Sequence, residues 1–421
     1  MANSLLTAQW VARKALIILH AKGNMTGRTN RDYQSLLPGP IQGVALGQVL
    51  SIRAPFKYKG RKGSKMSAEN SVQRYGQLTV GNQNGVDINF TSVERAMSLN
   101  NFEDQVLKPG MAQVAALNES DVTALVNQVP KFVGTWNGAN NFDNVMIAEQ
   151  YLTEALAPED DRRTLTVNPQ ASRQYVTDNK ALFHPSVQIS DEWLEGCIAD
   201  KTASFVAFRN TKLPTHTIGT IAGSTPVVNG AGQGQSGSGN AYVASQNLVT
   251  SGWASGATTL QAGDVFTIAG VNEVDPETKV SLGRLKQFVV NTTVSDTAGA
   301  ITVSISPAII TGGAYQNVDA GPATNAAIQV FGDTPANVSG QLIKQSVAWY
   351  RDAIVFANPP MLDLSQLVKF TAQETFEGYN LRFAQQWDPN NDLLPARIDT
   401  LSGETLIYPE LAVRVINSPS G

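Results

Sequence analysis

The chain has 421 residues, of which 42% are hydrophobic and 16% charged, and its formal net charge is −4 at pH 7. This length permits two or three compact domains, and the charge argues against a dedicated nucleic-acid-binding protein, whose footprint is strongly basic. The single cysteine, Cys197, excludes an internal disulfide and a cysteine-based metal cage, and we expect a buried free thiol. The apolar run at residues 15–19 is too short to span a membrane, so we expect a soluble protein made in a cytoplasm.

The N-terminal segment has the pattern of a basic amphipathic arm. Residues 4–21 are predicted to form a helix, with Leu6, Trp10, Ile17 and Ala21 recurring near helical spacing, and Gly23 is expected to end it. Residues 23–43 show no periodic pattern and contain glycine and proline, which favours an extended connector. No acid precedes Asp32, whereas five basic residues do: Arg13, Lys14, Lys22, Arg28 and Arg31.

A strongly basic loop, residues 53–74, follows between predicted strands. The strands cover residues 49–52, 77–80 and 86–90, and Asn84-Gly85 is a turn signal between the last two. Because the loop is rich in glycine and serine and has little to bury, we expect it to project from the body as a β-arm that reaches a partner. A solvated basic loop is the alternative. This basic loop has one acid and seven basic residues: Arg53, Lys57, Lys59, Arg61, Lys62, Lys65 and Arg74.

Helical and strand patterns alternate in the next part of the chain. The clearest helix covers residues 109–129, with a proline suited to its first position. Further helices are predicted at 144–156, 170–182 and 191–197, and a strand at 164–167. The apolar face of the first helix consists of Met111, Val114, Ala115, Val122, Leu125, Val126 and Val129.

Residues 213–340 differ from the rest of the chain in composition. They contain three basic and seven acidic residues, and Gly, Ser, Thr, Val and Ala dominate the remainder. We therefore predict a separate all-β domain, a barrel or a sandwich, inserted into an α+β chain. Residues 229–240 have the composition of a flexible loop. Strands are predicted in the insert at 241–244, 264–271, 285–294, 300–305 and 326–331, and after it at 353–356, 366–373, 380–386, 396–400 and 410–416.

Motifs that carry chemistry are incomplete or lie in the wrong context. The pattern G-x-G-x-x-G at residues 232–237 lies in a Gly/Ser loop, without the strand and helix that dinucleotide binding requires. A partial calcium-loop match beginning at Asp388 has Leu393 in place of the turn glycine and lacks the final glutamate. The histidines lie far apart and are interpreted as surface or capping residues: His20, His184 and His216. The sequence therefore predicts no catalytic residue, no cofactor, no metal site and no enzyme.

Several short stretches, in a fixed order, resemble the coat protein family of short-tailed Salmonella phages and its relatives in other tailed phages. These are major capsid proteins with the Hong Kong phage capsid fold. The ordered set is more specific than any one of its members. The matching stretches are residues 1–7, 12–16, 30–33, 51–55, 86–94, 107–109, 156–158, 161–163, 167–169 and 213–219.

The resemblance implies an α+β fold of the Hong Kong phage type with an inserted all-β barrel domain. Relatives carry charges in a loop of that insert, whereas the candidate loop 229–240 is uncharged here, so we expect no salt bridges between capsomers from it. The resemblance does not imply the covalent cross-linking of the founding member of the fold either, because its acceptor residues have no match in this sequence. The implied segments are an N-arm at 1–38, an E-loop with flanking strands at 39–92, a peripheral domain with the spine helix at 93–135, the first part of the axial domain at 136–212, the inserted β-barrel domain at 213–340, and the second part of the axial domain with C-terminal peripheral strands at 341–421.

The implied function is that of a major capsid protein, which self-assembles as hexamers and pentamers into an icosahedral shell around double-stranded DNA. Implied partners are a scaffolding protein, a portal protein, the packaged DNA (bound non-specifically) and a cement or decoration protein, with no membrane. The implied location is the virion, after synthesis in the bacterial cytoplasm. The alternatives are a phage tail or adhesin protein with a ligand-binding β-domain, and an enzyme with an unrecognised site. The candidate intersubunit contacts are Arg13, Lys14, Arg53, Lys57, Lys59, Arg61, Lys62 and Lys65.

Overall fold

The chain forms two compact units, each built from three separate segments. The first unit comprises Met1–Ile52, Gly76–Thr123 and Ile354–Ile407; the second comprises Arg53–Tyr75, Ala124–Ala353 and Tyr408–Gly421. The computed structural model describes residues 8–37, 44, 46–61, 63–66, 73–91, 103–137, 142–178, 201–234, 242–256, 259–296, 299–362, 364, 370–388 and 393–417. The helix predicted at 191–197, Cys197, His184 and Lys62 lie outside these residues.

The α-helices within these residues follow the predicted positions closely, except for a short helix at Pro335–Val338 that the sequence did not predict. None of them is both long enough and apolar enough to cross a membrane. They are α1 (Ala8–Lys22), α2 (Lys108–Ala124), α3 (Phe142–Glu154), α4 (Pro169–Asp178) and α5 (Pro335–Val338). A π-helical turn (Glu103–Leu107) precedes α2 and a 3-10 turn (Leu125–Gln128) follows it, and further 3-10 turns are Thr26–Arg28, Asp32–Leu36, Arg351–Ala353 and Pro409–Leu411.

The strands are numbered in chain order. Before residue 220 they are β1 (Gln48–Arg53), β2 (Tyr75–Val80), β3 (Asn82–Thr91), β4 (Phe132–Val133), β5 (Arg163–Val167), β6 (Lys201–Thr202), β7 (Phe205–Arg209) and β8 (Thr215–Thr217). From 220 to 340 they are β9 (Val227–Val228), β10 (Gln246–Ser251), β11 (Thr259–Leu260), β12 (Val265–Val274), β13 (Ser281–Val290), β14 (Val294–Ser295), β15 (Ala300–Ser306) and β16 (Ile328–Val330). The remainder are β17 (Leu342–Tyr350), β18 (Ile354–Ala357), β19 (Phe370–Phe376), β20 (Tyr379–Gln385), β21 (Leu393–Leu406) and β22 (Ala412–Asn417).

The first unit is built on a five-stranded antiparallel sheet. Its order is β18-β21-β20-β19, and β3 also pairs with β21. Helix α1 packs on β19 and β20, but the apolar face predicted from Leu6, Trp10, Ile17 and Ala21 is wrong, because Ile17 is 43% exposed and Ala21 is exposed as well. The residues of α1 that are buried include Val11, Ala15 and Leu19. All seven apolar positions predicted for the face of the helix beginning near Pro109 are buried as well.

The turn predicted at Asn84-Gly85 is wrong, because both residues lie inside β3 and pair with β21. A Cβ atom on Gly85 would lie 2.8 Å from the carbonyl oxygen of Ile398. The glycine therefore permits a close approach of two strands, which is the other common reason for glycine in a strand. The chain instead breaks at Gly81, between β2 and β3.

The second unit contains a seven-stranded sheet and a β-barrel. The sheet has the order β4-β22-β17-β5-β7-β6, with β8 also paired to β17, and α3 packs on β17 and β22. Its buried side chains, including Leu165, Phe205 and Val413, form one apolar cluster.

Six strands of the low-charge segment form the barrel, in the order β16-β12-β13-β15-β10-β9. The two edges of this sheet meet at the antiparallel bridge between Val227 and Ala327. The sheet therefore closes on itself, which decides between the predicted barrel and sandwich. The barrel core is continuous with three side chains of the seven-stranded sheet: Phe132, Ile343 and Ile416.

The strand predicted at 241–244 lies instead at Gln246–Ser251. It pairs in antiparallel register with β15, from Gln246 opposite Ile305 to Ser251 opposite Ala300. This register buries Leu248 and Thr250 against the core and exposes Asn247 and Val249. The alternation of Gln246–Ser251 was the better signal, and the apolar residues Tyr242 and Val243 belong to an irregular stretch before it.

Candidate assembly surfaces and the base of the barrel

The basic loop presents exposed cations over the part of it that the structure describes. Within the described residues, none of these cations forms an ion pair with a carboxylate. Three large apolar side chains beside them are also exposed: Phe56 (44%), Tyr58 (75%) and Met66 (76%). Cations next to exposed aromatic and aliphatic groups are typical of a surface that another protein covers. The exposed cations are Arg53, Lys57, Lys59, Arg61 and Lys65.

Arg74 does not project with the rest of the basic loop, and the prediction is wrong for this residue. It is buried, its Nη1 lies 2.6 Å from Oε1 of Glu410, and its guanidinium stacks 4.6 Å from the ring centre of Tyr242 and 5.2 Å from that of Tyr408. Burial alone would raise the pKa of Glu410, but the charge of Arg74 outweighs it and holds the pKa below its usual value. The returning end of the loop is therefore fastened to the second unit.

A buried charge cluster joins the barrel to the elements around the seven-stranded sheet. Glu273 on β12 lies 2.8 Å from Nζ of Lys286, 2.7 Å from Arg284 and 3.4 Å from Nζ of Lys131. Lys131 immediately precedes β4, and Arg284 also pairs with Glu154 at the end of α3. Glu273 of the barrel thus binds Lys131 from outside the barrel, and Arg284 of the barrel binds Glu154 from outside it.

Burial and charge act in opposite directions on this cluster. Burial would raise the pKa of Glu273, but the positive charges of Lys286, Lys131 and Arg284 outweigh it and hold the pKa below its usual value. Burial lowers the pKa of Lys131, and the charge of Glu273 partly offsets that effect. The cluster is therefore stable only as a set, because loss of Glu273 would leave three cations in a poorly solvated place.

His216 is neither a surface nor a capping residue, which corrects the interpretation from sequence. It is buried on β8, where the chain passes into the barrel, and its Nε2 lies 2.8 Å from Oδ1 of Asp264. The other carboxylate oxygen of Asp264 accepts hydrogen bonds from the backbone N–H of Gly219 and of Gln261. A Cβ on Gly219 would lie 2.0 Å from the carbonyl oxygen of Thr259. This crossing therefore requires glycine.

Arg414 on β22 completes the buried polar group at the base of the barrel. It donates to the carbonyl oxygen of Gly263 at 2.9 Å and to the side-chain oxygen of Gln345 at 3.3 Å. Burial lowers its pKa to about 9, although the negative charge of Asp264 acts in the opposite direction. His216, Asp264 and Arg414 together fix the connection between sheet and barrel.

Of the N-terminal candidates, Arg13 is exposed on α1 and Lys14 already has a partner, because its Nζ lies 3.5 Å from Glu103. Glu119 on α2 was missed from the sequence. Its carboxylate accepts hydrogen bonds from the backbone N–H of Met25 and from the N–H and hydroxyl of Thr26, at 2.8–3.2 Å. A carboxylate next to the apolar face of a long helix was the signal, and here it anchors the N-terminal segment.

The described part of the glycine-rich loop, residues 229–234, is tied to the barrel without charge. Gln233 donates to the carbonyl oxygens of Asn229 and Val249 and accepts from the N–H of Val249 at 2.6 Å. Residues 235–240 of the predicted loop lie outside the described chain. In the described residues, no three His, Cys, Asp or Glu side chains group as metal ligands would.

The comparisons with known proteins define first the class and then the family. The family model described as "P22 coat protein - gene protein 5" matches residues 52–415, most of the chain, so this is a phage coat protein. The chain belongs to the P22 coat protein family. This confirms the resemblance found in the sequence and, with it, the capsid-type fold with an inserted barrel. The protein is a major capsid protein of a tailed phage, and it assembles into multimeric shells.

Three of the solved structures similar to this chain come from phages. A chain from Mycobacterium phage Che8 has 10% identity and a TM-score of 0.47, with 99% of this chain and 94% of that chain covered. A capsid structure from cyanophage P-SCSP1u has 9% identity and a TM-score of 0.43, with coverage of 99% and 92%. The CUS-3 coat protein I-domain is 34% identical, with a TM-score of 0.20; the match covers 27% of this chain and 98% of that one. No curated protein sequence matches.

Proposed function

We propose that the protein forms hexamers and pentamers, and that these build an icosahedral shell around double-stranded DNA. The observation that carries this proposal is the exposed surface of the basic loop, where cations without a described carboxylate partner stand beside exposed apolar side chains. Contacts that are individually modest become strong when they are repeated around a closed ring. The candidate contacts are Arg13, Lys14, Arg53, Lys57, Lys59, Arg61, Lys62 and Lys65.

The remaining roles follow the family resemblance. We propose a scaffolding protein as the assembly partner, a portal protein at one vertex, and synthesis in the host cytoplasm before incorporation into the virion. The weakly acidic chain, with 35 acids and 31 bases, is suited to enclosing DNA without gripping it, because affinity for DNA rises with the number of neutralised phosphates. The protein acts as a structural component rather than as an enzyme, and the six segments from 1–38 to 341–421 keep the roles given above.

The test is a triple substitution in the basic loop, Lys59→Ala, Arg61→Ala and Lys65→Ala. These side chains are exposed, so the subunit should fold with an unchanged melting temperature while shell formation with a scaffolding protein is lost or reduced at least tenfold. Negative-stain microscopy and sedimentation measure the shells. The matched control is Arg209→Ala with Lys212→Ala, two exposed cations outside the loop. Equal shell yields from both variants would refute the role of the loop.

A further inference from the structure

A cleft of about 540 Å³ opens in the second unit, beside the start of the basic loop. Its walls come from that loop, from the barrel and from the chain next to the seven-stranded sheet. Such a wall suits an occupant that brings apolar atoms and a small number of polar ones. Much of it is aromatic or aliphatic: Phe56, Leu156, Tyr242, Leu282, Tyr315 and Tyr350.

Besides Lys131 and Lys286, which pair with Glu273, two further lysines line this cleft. Lys57 is exposed, and Nζ of Lys279 donates to the backbone carbonyl oxygens of Pro276, Ala314 and Gln316 at 2.7–3.2 Å. Within the described chain, neither ammonium group lies at ion-pair distance from a carboxylate. Burial, and then the nearby charge of Lys57, lower the pKa of Lys279 to about 8. The two charges are therefore close enough to repel each other.

The carboxylates nearby offset this repulsion only in part: Asp275 acts to raise the pKa of Lys279 and Lys57 helps to lower that of Glu410, but both carboxylates have other partners. Glu154 and Asp352 also line the cleft. Glu410 pairs with Arg74, and Glu273 is shared among three cations. Asp275 accepts hydrogen bonds from the N–H and hydroxyl of Thr278 within its own turn, at 2.6 and 2.9 Å. A carboxylate from another molecule would therefore gain from Lys57, which can donate to it, and from the field of Lys279.

We propose that this cleft is a socket for a neighbouring copy of the chain, which inserts an acidic side chain against Lys57 and packs apolar atoms on the aromatic wall. The proposal rests on the assembly proposed above. A second copy is the occupant that supplies one filling segment for every cleft in a shell of identical chains. Such a contact is heterologous, since the socket on one copy meets a different surface on the next, as rings and closed shells require.

The test places a photoreactive group in the wall. Leu282, which is half-buried and lines the cleft, is replaced by p-benzoylphenylalanine, and assembled shells and unassembled subunits are irradiated separately. We expect covalent dimers from shells and few from subunits. Mass spectrometry should place the linked peptide of the second copy within a few residues of an Asp or Glu. Lys57→Glu should reduce the dimer yield at least fivefold, whereas Lys57→Arg and the control Lys212→Glu should retain it.

Any other outcome contradicts the proposal that the cleft is a socket for a second copy. Links within one chain, links to the scaffolding protein, links to segments without an acid, or a yield unaffected by Lys57→Glu would all contradict it. If normal shells form without dimer links, the socket fails while the proposed assembly stands. If Lys57→Glu prevents shells altogether, the linked acid is changed to Lys in the same chain. Restored shells and dimers then support the socket, and a failure to restore them refutes it.

Discussion

At the scale of single residues, Glu404 on β21 links stability to pH within the first unit. Burial, together with the nearby carboxylate of Asp121, raises its pKa to about 7, while a hydrogen bond from Asn82 acts in the opposite direction. The unfolded chain titrates this group near 4.5. The folded state therefore holds the proton more tightly, and stability falls as pH rises from about 4.5 to about 7.

We expect Glu404→Gln to stabilise the protein at pH 8 by about 1–2 kcal/mol, after allowance for the partial exposure of the side chain. The amide keeps an oxygen for Asn82 but carries no charge to repel Asp121. The gain should shrink between pH 7 and 4.5 and vanish below that range. Thermal unfolding at several pH values measures it, with Glu374→Gln on β19 as control. No gain at pH 8, or a gain that is independent of pH, would show that ionised Glu404 is not destabilising.

Glu273 gives the opposite dependence of stability on pH, because its pKa is lowered whereas that of Glu404 is raised. Because its folded pKa is depressed, its contribution to stability is present above the ordinary value of about 4.5 and is lost as pH falls below it. Glu273→Gln leaves the buried Lys131 and Lys286 and the partly buried Arg284 without their shared anion, and should destabilise the second unit by about 3 kcal/mol at pH 7. Urea unfolding measures this loss, and the exposed Glu277→Gln should change stability by less than about 0.5 kcal/mol. A difference from the wild type that does not narrow in acid would contradict the assignment.

At the scale of elements, the contacts of Arg74 at the end of the basic loop predict a coupling energy between Arg74 and Glu410. Arg74→Ala removes the ion pair with Glu410 and the stacking on Tyr242 and Tyr408, so it should destabilise the protein by about 2–3 kcal/mol. Glu410→Gln in the same chain should then add little, which gives a double-mutant coupling of about 1 kcal/mol or more. Chemical denaturation of the four proteins measures it. Additive effects would mean that the pair does not hold the loop.

Helices and strands could be predicted from the sequence where the local spacing of apolar side chains determines them. The apolar face of α2 and the alternation of most strands gave positions close to those observed, because side-chain spacing alone decides which face is buried. Arg74 could not be separated from the six other cations of its loop, since its carboxylate partner lies 336 residues further along the chain. His216 and Asp264 are 48 residues apart, and the turn signal at Asn84-Gly85 was overridden by the pairing of β3 with β21. Contacts distant in sequence carry no local signal.

At the scale of the whole molecule, the charges fall into two sets with different exposure. One set is buried at the base of the barrel, around Glu273 and Asp264, and holds each subunit together. The other is exposed on the basic loop and lacks carboxylate partners in the described chain. Salt screens exposed charges strongly and buried ones weakly, with a Debye length of about 8 Å at physiological ionic strength and about 3 Å at 1 M.

Assembly and folding should therefore respond differently to salt. Raising NaCl from about 0.05 M to about 1 M should slow shell formation by the wild type by an order of magnitude or more, because the loop cations no longer steer subunits together. The melting temperature of the subunit should change little over the same range. The Lys59→Ala, Arg61→Ala, Lys65→Ala variant should assemble poorly at low salt and show a much shallower salt dependence. Light scattering follows assembly and calorimetry follows folding. An equal dependence of the assembly rate on salt in wild type and variant would mean that the loop cations do not act between subunits. The contact would then depend on the exposed apolar side chains Phe56, Tyr58 and Met66.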